Sequence, residues 1–350
     1  MIELTLAEVA AAVDGAPADS VDLAATVTGK CELDSRKVQA GDLFFAIKGE
    51  NHDGHDHVDA ALAAGAVAAV VSADGPGARI VVADPIRALA DLARYVLSRR
   101  PEITVVALTG SSGKTSTKDI LGQVLAVDGP TIWPEGSFNN ELGLPLTVLR
   151  VDAATKYLVL EMGSRGAGHI RELCSIAAPD VALVLNVGSA HVGEFGSREN
   201  TAAAKAELVE ALDARGVAVL NADDPLVSAM AARTAAALRW FGSGAAADVH
   251  VADVTLDDLA RPTVTIRVGD LTRSIRLELH GEHQAANAAA ATAAAISAGM
   301  PASAALDALE TVRQQSRWRM EVTRTADSTT VVNDAYNANP ESMTAALRAL

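Results

Sequence analysis

Thr109-Gly110-Ser111-Ser112-Gly113-Lys114-Thr115-Ser116 is the stretch on which the fold turns. An apolar run at 103–108 precedes it and reads as a strand, and a helical stretch follows. A phosphate needs backbone N–H donors at close range, and glycines at Gly110 and Gly113 let the backbone approach without a Cβ in the way. The helix opening near Lys114 adds the positive end of its dipole. In such a loop Lys114 reaches the β- and γ-phosphates of a bound nucleotide, and the Thr115 hydroxyl ligates Mg²⁺. The loop is a shortened variant, because Leu108 stands where the general phosphate-loop pattern has its first glycine.

Outward from this loop, strand and helix alternate from residue 103 to about 312. That rhythm predicts a mostly parallel sheet covered on both faces. Strands are expected at 103–108, 157–160, 181–185 and 217–220. A β-meander is expected over 249–254, 264–268 and 274–279, followed by an alanine-rich helix after Gly281. Upstream, 43–47 and 69–71 read as strands and 58–65 as a helix, with a boundary near Pro101. Downstream of Arg317 a strand at 329–332 and a helix from Pro340 begin a third unit. The fold class is α/β: a small N-terminal α/β domain over 1–98, a central phosphate-loop domain over 99–314, and the start of a Rossmann-like domain over 315–350. One strand and one helix are too little to bury a core. The third unit is therefore expected to be incomplete, a truncation at the C-terminal end.

Composition narrows the class. With 350 residues, 49% of them hydrophobic and 21% charged, the sequence has the balance of a multidomain globular protein. No apolar run reaches membrane-spanning length, and the start lacks the pattern of a signal peptide. Cys31 and Cys174 are the two cysteines, without metal-ligand spacing, which points to a reducing cytoplasm. A net charge of −15 speaks against nucleic-acid partners and acidic membrane surfaces.

Further candidates come from position. Glu161 follows the strand at 157–160, and His191 lies a few residues after 181–185. Ligands of open parallel sheets sit outside the carboxyl ends of the strands, and a carboxylate suits Mg²⁺. His191 taken alone reads more readily as a solvated loop histidine. Lys205, in a helical stretch at 199–207, reads by composition as a solvated lysine. His283 and Asn287 share one helix face at i, i+4. In the N-terminal part Asp34-Ser35-Arg36 could grip a diphosphate, and Lys48-Gly49 precedes Asp53-Gly54-His55.

Taken together these segments resemble the Mur ligases. The resemblance is carried by 34–36, 41–44, the loop at 109–116, Asn139-Asn140-Glu141-Leu142-Gly143-Leu144-Pro145 and Glu161-Met162-Gly163. It continues through 186–191, Ala204-Lys205-Ala206-Glu207, 281–287 and Asp334-Ala335-Tyr336-Asn337-Ala338-Asn339-Pro340-Glu341-Ser342. The last segment is the one that favours members adding D-alanyl-D-alanine to UDP-N-acetylmuramoyl-tripeptide. A sibling ligase adding a diamino acid and a non-catalytic nucleotide- and UDP-sugar-binding fragment are the alternatives.

The resemblance implies an ATP- and Mg²⁺-dependent, cytoplasmic, monomeric ligase of peptidoglycan precursor synthesis. It implies that Lys205 is carbamoylated and ligates Mg²⁺ with Thr115, Glu161 and His191. Asn287, Arg319 and Asp334 would contact the nucleotide together with the loop residues Gly110, Ser111, Ser112, Gly113, Lys114, Thr115 and Ser116. Lys114, Lys205, His191 and Arg319 would carry the catalysis. Ser35, Arg36, Lys48 and Asn139 would hold the UDP substrate.

Overall fold

The computed structural model describes residues 1–188 and 196–349. The protein packs as two compact units: Met1–Glu102 with Glu141–Thr155, and Ile103–Asn140 with Lys156–Leu350.

In the first unit, β1 (Leu4–Thr5) pairs antiparallel with β3 (Thr26–Val27). A five-stranded sheet has the order β2 (Ala16–Pro17), β7 (Arg79–Val81), β6 (Ala68–Val71), β5 (Leu43–Phe45), β4 (Cys31–Glu32). Phe44, Val58, Ala61, Ala69 and Val71 form its core, with α2 (Val58–Ala63) laid on the sheet. Helix α1 (Leu6–Ala12) begins with a capping box between Thr5 and Glu8, and α3 (Pro85–Ser98) is capped by Asp84 with proline at its first position. Helix α5 (Gly143–Val148) belongs to this unit as well.

The second unit is built on one nine-stranded sheet. Its order is β16 (Leu271–Arg276), β15 (Pro262–Val268), β14 (Val249–Leu256), β13 (Ala237–Gly242), β12 (Val217–Asn221), β11 (Val181–Val184), β8 (Thr104–Thr109), β10 (Tyr157–Glu161), β9 (Thr131–Ile132). From β9 to β14 neighbours run parallel, and β14, β15 and β16 form the antiparallel meander. The strands at β8, β10 and β11 are buried on both faces, which is why they read as continuous apolar runs rather than alternating ones. Helices α4 (Lys114–Ala126), α6 (His169–Ile176) and α7 (Arg198–Glu210) follow β8, β10 and β11 in sequence. Helix α8 (Gln284–Ser297) is buried nearly all round, eleven of its fourteen residues lying inside. Alanine at most of these positions lets it lie close to α4 and the sheet. Helix α9 (Ala302–Ala308) precedes the hairpin of β17 (Glu321–Arg324) and β18 (Thr330–Asn333), and α10 (Pro340–Arg348) is the last element.

Three strands of this unit escape the sequence reading: β9, β13 and β17. The last meander strand begins at Leu271, earlier than the expected 274. A two-residue turn sets it: Val268 pairs with Leu271, and Gly269 between them has φ +55°, a left-handed conformation suited to glycine. Glu161 is the last residue of β10 rather than the first beyond it.

Candidate active site

Strand β8 lies between β10 and β11, where the progression of strands across the sheet reverses. The carboxyl ends of these three strands meet at that switch point, and open α/β sheets bind ligands there. The phosphate loop leaves β8, Glu161 ends β10, and Asn186 follows β11. Thr109 Oγ1 donates to the Met162 carbonyl at 2.8 Å and so ties the end of β8 to the end of β10.

Gly113 turns the loop into α4 with φ +78°. A Cβ there would stand 2.8 Å from Asn287 Oδ1, so both backbone and space demand glycine. Lys114 Nζ folds back onto the Gly110 carbonyl at 2.7 Å. Burial pushes the Lys114 ammonium below its ordinary value; Glu161 opposes the shift and Arg319 adds to it. Thr115 Oγ1 lies 3.1 Å from Ser137 Oγ and accepts from Arg319 Nη2 at 3.3 Å.

Around the loop stand the other candidates. Glu161 is buried; its Oε1 accepts from Asn139 Nδ2 at 2.7 Å, and its Oε2 has no hydrogen-bond partner among the described residues. Lys205 on α7 is 5% exposed, which overturns its compositional reading as a solvated lysine. Burial first, and the Lys114 charge second, lower its pKa to about 7. The α7 helix is fixed in place by Glu207, whose carboxylate accepts from the amides of Gly168 at 2.6 Å and Arg171 at 3.0 Å at the start of α6. Asn287 donates to Gln284 Oε1 at 2.9 Å, and burial lowers the His283 imidazole below its ordinary range. Arg319 stacks its guanidinium 4.1 Å from the Tyr336 ring, and Asp334 Oδ1 accepts from the Met320 amide at 3.0 Å.

One cavity of about 430 Å³ unites Gly110–Ser116, Asn139, Glu161, Lys205, Asn287, Arg319 and Asp334. His191 lies outside the described residues. Among the described residues no three His, Cys, Asp or Glu side chains form a metal-holding group. Asn186 and Tyr336 also line the cavity, without a role assigned from sequence. Asn186 holds the phosphate loop through Ser111 and Ser112; its place just past an apolar strand was the available signal.

Ser35, Arg36 and Lys48 belong to the first unit. Ser35 and Arg36 share a single 3₁₀ turn capped by Asp34. Arg36 grips the Asp34 carboxylate with two donors, Nε to Oδ1 and Nη2 to Oδ2, each at 2.8 Å. That hydrogen bonding holds Asp34 at about 2. The main chains of Lys48 and Asp53 form an isolated antiparallel β-bridge.

The fold and cavity define a phosphate-loop α/β unit with a cationic, carboxylate-bearing pocket at its switch point. Residues 108–295 match the family model described as Mur ligase middle domain, and 30–103 match that of the Mur ligase family, catalytic domain. A Mycobacterium tuberculosis protein named UDP-N-acetylmuramoyl-tripeptide--D-alanyl-D-alanine ligase is 45% identical over 377 aligned residues, covering 100% of this chain and 74% of the relative. The protein belongs to the Mur ligase family. MurF from Acinetobacter baumannii superposes with a TM-score of 0.90 at 32% identity, covering 99% of this chain and 76% of that one. MurF ligase from Thermotoga maritima in complex with ADP gives a TM-score of 0.81 at 33% identity, over 93% and 75% of the two chains.

Proposed function

We propose that this protein is an ATP-dependent ligase that joins D-alanyl-D-alanine to UDP-N-acetylmuramoyl-tripeptide. The observation that carries the chemistry is the single cavity in which the phosphate loop faces Glu161, Lys205 and Arg319. The names of the relatives supply the two substrates. In the division of labour proposed, residues 1–98 bind the UDP substrate with Ser35, Arg36 and Lys48. Residues 99–314 bind ATP, and residues from 315 onward bring Arg319 and Asp334 to the nucleotide.

The cavity residues fit a divalent cation. Glu161 Oε2 is buried without a hydrogen-bond partner among the described residues, and the Thr115 hydroxyl lines the same cavity. Lys205 fits the carbamate role, because a pKa of about 7 leaves much of its buried amine unprotonated at neutral pH. An unprotonated amine adds to CO₂ and releases one proton, turning a buried cation into an oxygen ligand. Thr115, Glu161, carbamoylated Lys205 and His191 would hold Mg²⁺, which when bound neutralises the phosphate charge.

The protein's own groups then act on two transfers. The loop amides and Lys114 grip the phosphates of ATP, and the terminal carboxylate of the tripeptide attacks the γ-phosphorus, giving an acyl phosphate and ADP. Lys114 and Arg319 balance the charge that develops. The amine of D-alanyl-D-alanine attacks the acyl carbon, loses its proton, and phosphate leaves as the amide forms. Asn139, bonded to Glu161, lies along the tripeptide in this reading.

A cytoplasmic setting accords with Cys31 and Cys174, both free and buried; among the described residues no helix is long and apolar enough to cross a membrane. The test supplies ATP with either UDP-tripeptide and D-alanyl-D-alanine or the shorter UDP-dipeptide and diaminopimelate, and reads ADP release and amide product by mass spectrometry. Product with D-alanyl-D-alanine alone is expected. Product with diaminopimelate on the shorter UDP-dipeptide would sink the assignment.

A further inference from the structure

One turn behind the phosphate loop, α4 carries an ion pair inside the protein. Lys118 is fully buried and Asp119 is 6% exposed, with Lys118 Nζ 2.5 Å from Asp119 Oδ1. Stripping two charges of water is costly, and such a pair is a weak source of stability. Its contacts suggest a different use. Lys118 Nζ donates to the Pro134 carbonyl at 2.8 Å, on the segment that goes on to Ser137 and Asn139. Asp119 Oδ2 accepts from Ser316 Oγ at 2.6 Å, on the segment that goes on to Arg319. The pair thus joins the phosphate-loop helix to two of the segments that wall the cavity.

The segment before Arg319 is held at further points. Gln123, also on α4, pairs with the main chain of Arg313: its Nε2 donates to the carbonyl and its Oε1 accepts from the amide, each at 3.0 Å. Trp133 Nε1 donates to Gln315 Oε1 at 3.2 Å. Beyond Ser316, Trp318 and Met320 have φ of 59° and 54°, so Arg319 sits between two left-handed residues that are not glycine. L-residues keep that conformation only where the surroundings hold it. The Arg319 side chain stacks on Tyr336 and makes a long hydrogen bond, Nη2 to Thr115 Oγ1 at 3.3 Å, while its buried Nε has no hydrogen-bond partner among the described residues. Asp334 and Tyr336 hold this stretch from ahead, and Ser316 ties it from behind to the phosphate-loop helix.

We propose that Lys118, Asp119 and Ser316 form a positioning node that fixes Arg319 against Thr115 and the phosphate loop. The proposal rests on the ligase reading above and concerns residues that do not line the cavity.

The test is a double-mutant cycle between Ser316 and Arg319, read as ATP affinity by calorimetry on the whole protein. Ser316 is only partly buried, so Ser316→Ala is expected to fold, with a modestly lowered thermal midpoint because the buried Asp119 loses a partner. Losing a hydrogen bond to a charged group should weaken ATP binding about tenfold, and Ser316→Thr should restore it. If Ser316 acts through Arg319, the double variant S316A/R319A binds no more weakly than R319A alone. A second variant, K118M/D119L, replaces the buried pair with apolar residues of similar size. It should keep its stability yet bind ATP about as weakly as S316A. Wild-type affinity in S316A, or a loss that adds in full to that of R319A, overturns the node. Failure of the ligase reading shows separately, as ATP binding by the wild-type protein without amide product. A wild-type protein that binds no ATP overturns both.

Discussion

Asn186 Oδ1 accepts from the amide nitrogens of Ser111 at 3.1 Å and Ser112 at 3.0 Å, and its Nδ2 donates back to the Ser112 carbonyl at 3.2 Å. A residue after β11 thus organises the first half of a loop that follows β8, 75 positions earlier in the sequence. Without this anchor the loop would meet its ligand disordered, and the ordering entropy would be lost from binding.

Asn186→Ala should therefore weaken ATP binding about tenfold or more while leaving the fold intact, since losing one hydrogen-bonding group costs roughly 1–3 kcal/mol. Asn186→Asp makes a sharper comparison. Its carboxylate still accepts from both amides but loses the donor to the Ser112 carbonyl, so the thermal midpoint should fall modestly, and its charge repels phosphate. Calorimetric titration with ATP should find the Asp variant at least as impaired as the Ala variant. Full affinity in both would mean the loop needs no support from β11.

Much of this site was legible because its signals are local. The apolar run of β8, the two glycines and Gly113-Lys114-Thr115 describe strand, turn and helix within a dozen residues, and Glu161 was found by its place at a strand end. What escaped depends on contacts between distant segments. Lys118-Asp119 in mid-helix looks like a solvated pair until Pro134 and Ser316 close over it. Lys205 reads as a surface lysine because its burial comes from the packing of α7 in the unit, which composition does not reveal. Strand β13, Ala-Leu-Arg-Trp-Phe-Gly, has no alternation and gains its identity by pairing with β12.

Lys114→Ala should abolish ATP-dependent turnover, with a loss of about 10²–10³ in rate or more. The UDP substrate should bind nearly as before, because Ser35, Arg36 and Lys48 belong to the other compact unit. Titration of the variant with UDP-tripeptide decides the matter; a large affinity loss would show that the two functions are not separable.

Gly113→Ala should be damaging out of proportion to one methyl group. At φ +78° an L-residue costs on the order of 1–2 kcal/mol, and the new Cβ would press on Asn287 Oδ1 at 2.8 Å. Asn287 is buried and tied to Gln284, so it has little room to move. The variant should melt earlier and lose the rise in melting temperature that ATP gives the wild type. An undiminished ATP-induced rise would mean the loop tolerates a side chain at its tightest turn.

Lys205 allows a test of the carbamate that needs no turnover. Its pKa lies near 7, lowered by burial and then by the charge of Lys114. Above that value the amine is free to attack CO₂; below it the proton occupies the lone pair. A sample equilibrated with ¹³C-bicarbonate at pH 8 should show a carbamate carbon resonance that is absent from Lys205→Ala, and the signal should fade as pH falls through about 7. The sign follows from the shift: an ordinary lysine near 10.4 would hold its proton throughout this range and form little carbamate. In turnover, Lys205→Ala should be nearly inactive and partly rescued by millimolar acetate or formate, which restore an oxygen ligand but not an amine. Rescue by a small amine instead would assign Lys205 a positive charge in the reaction. A carbamate resonance unchanged in Lys205→Ala would place the modification on another residue.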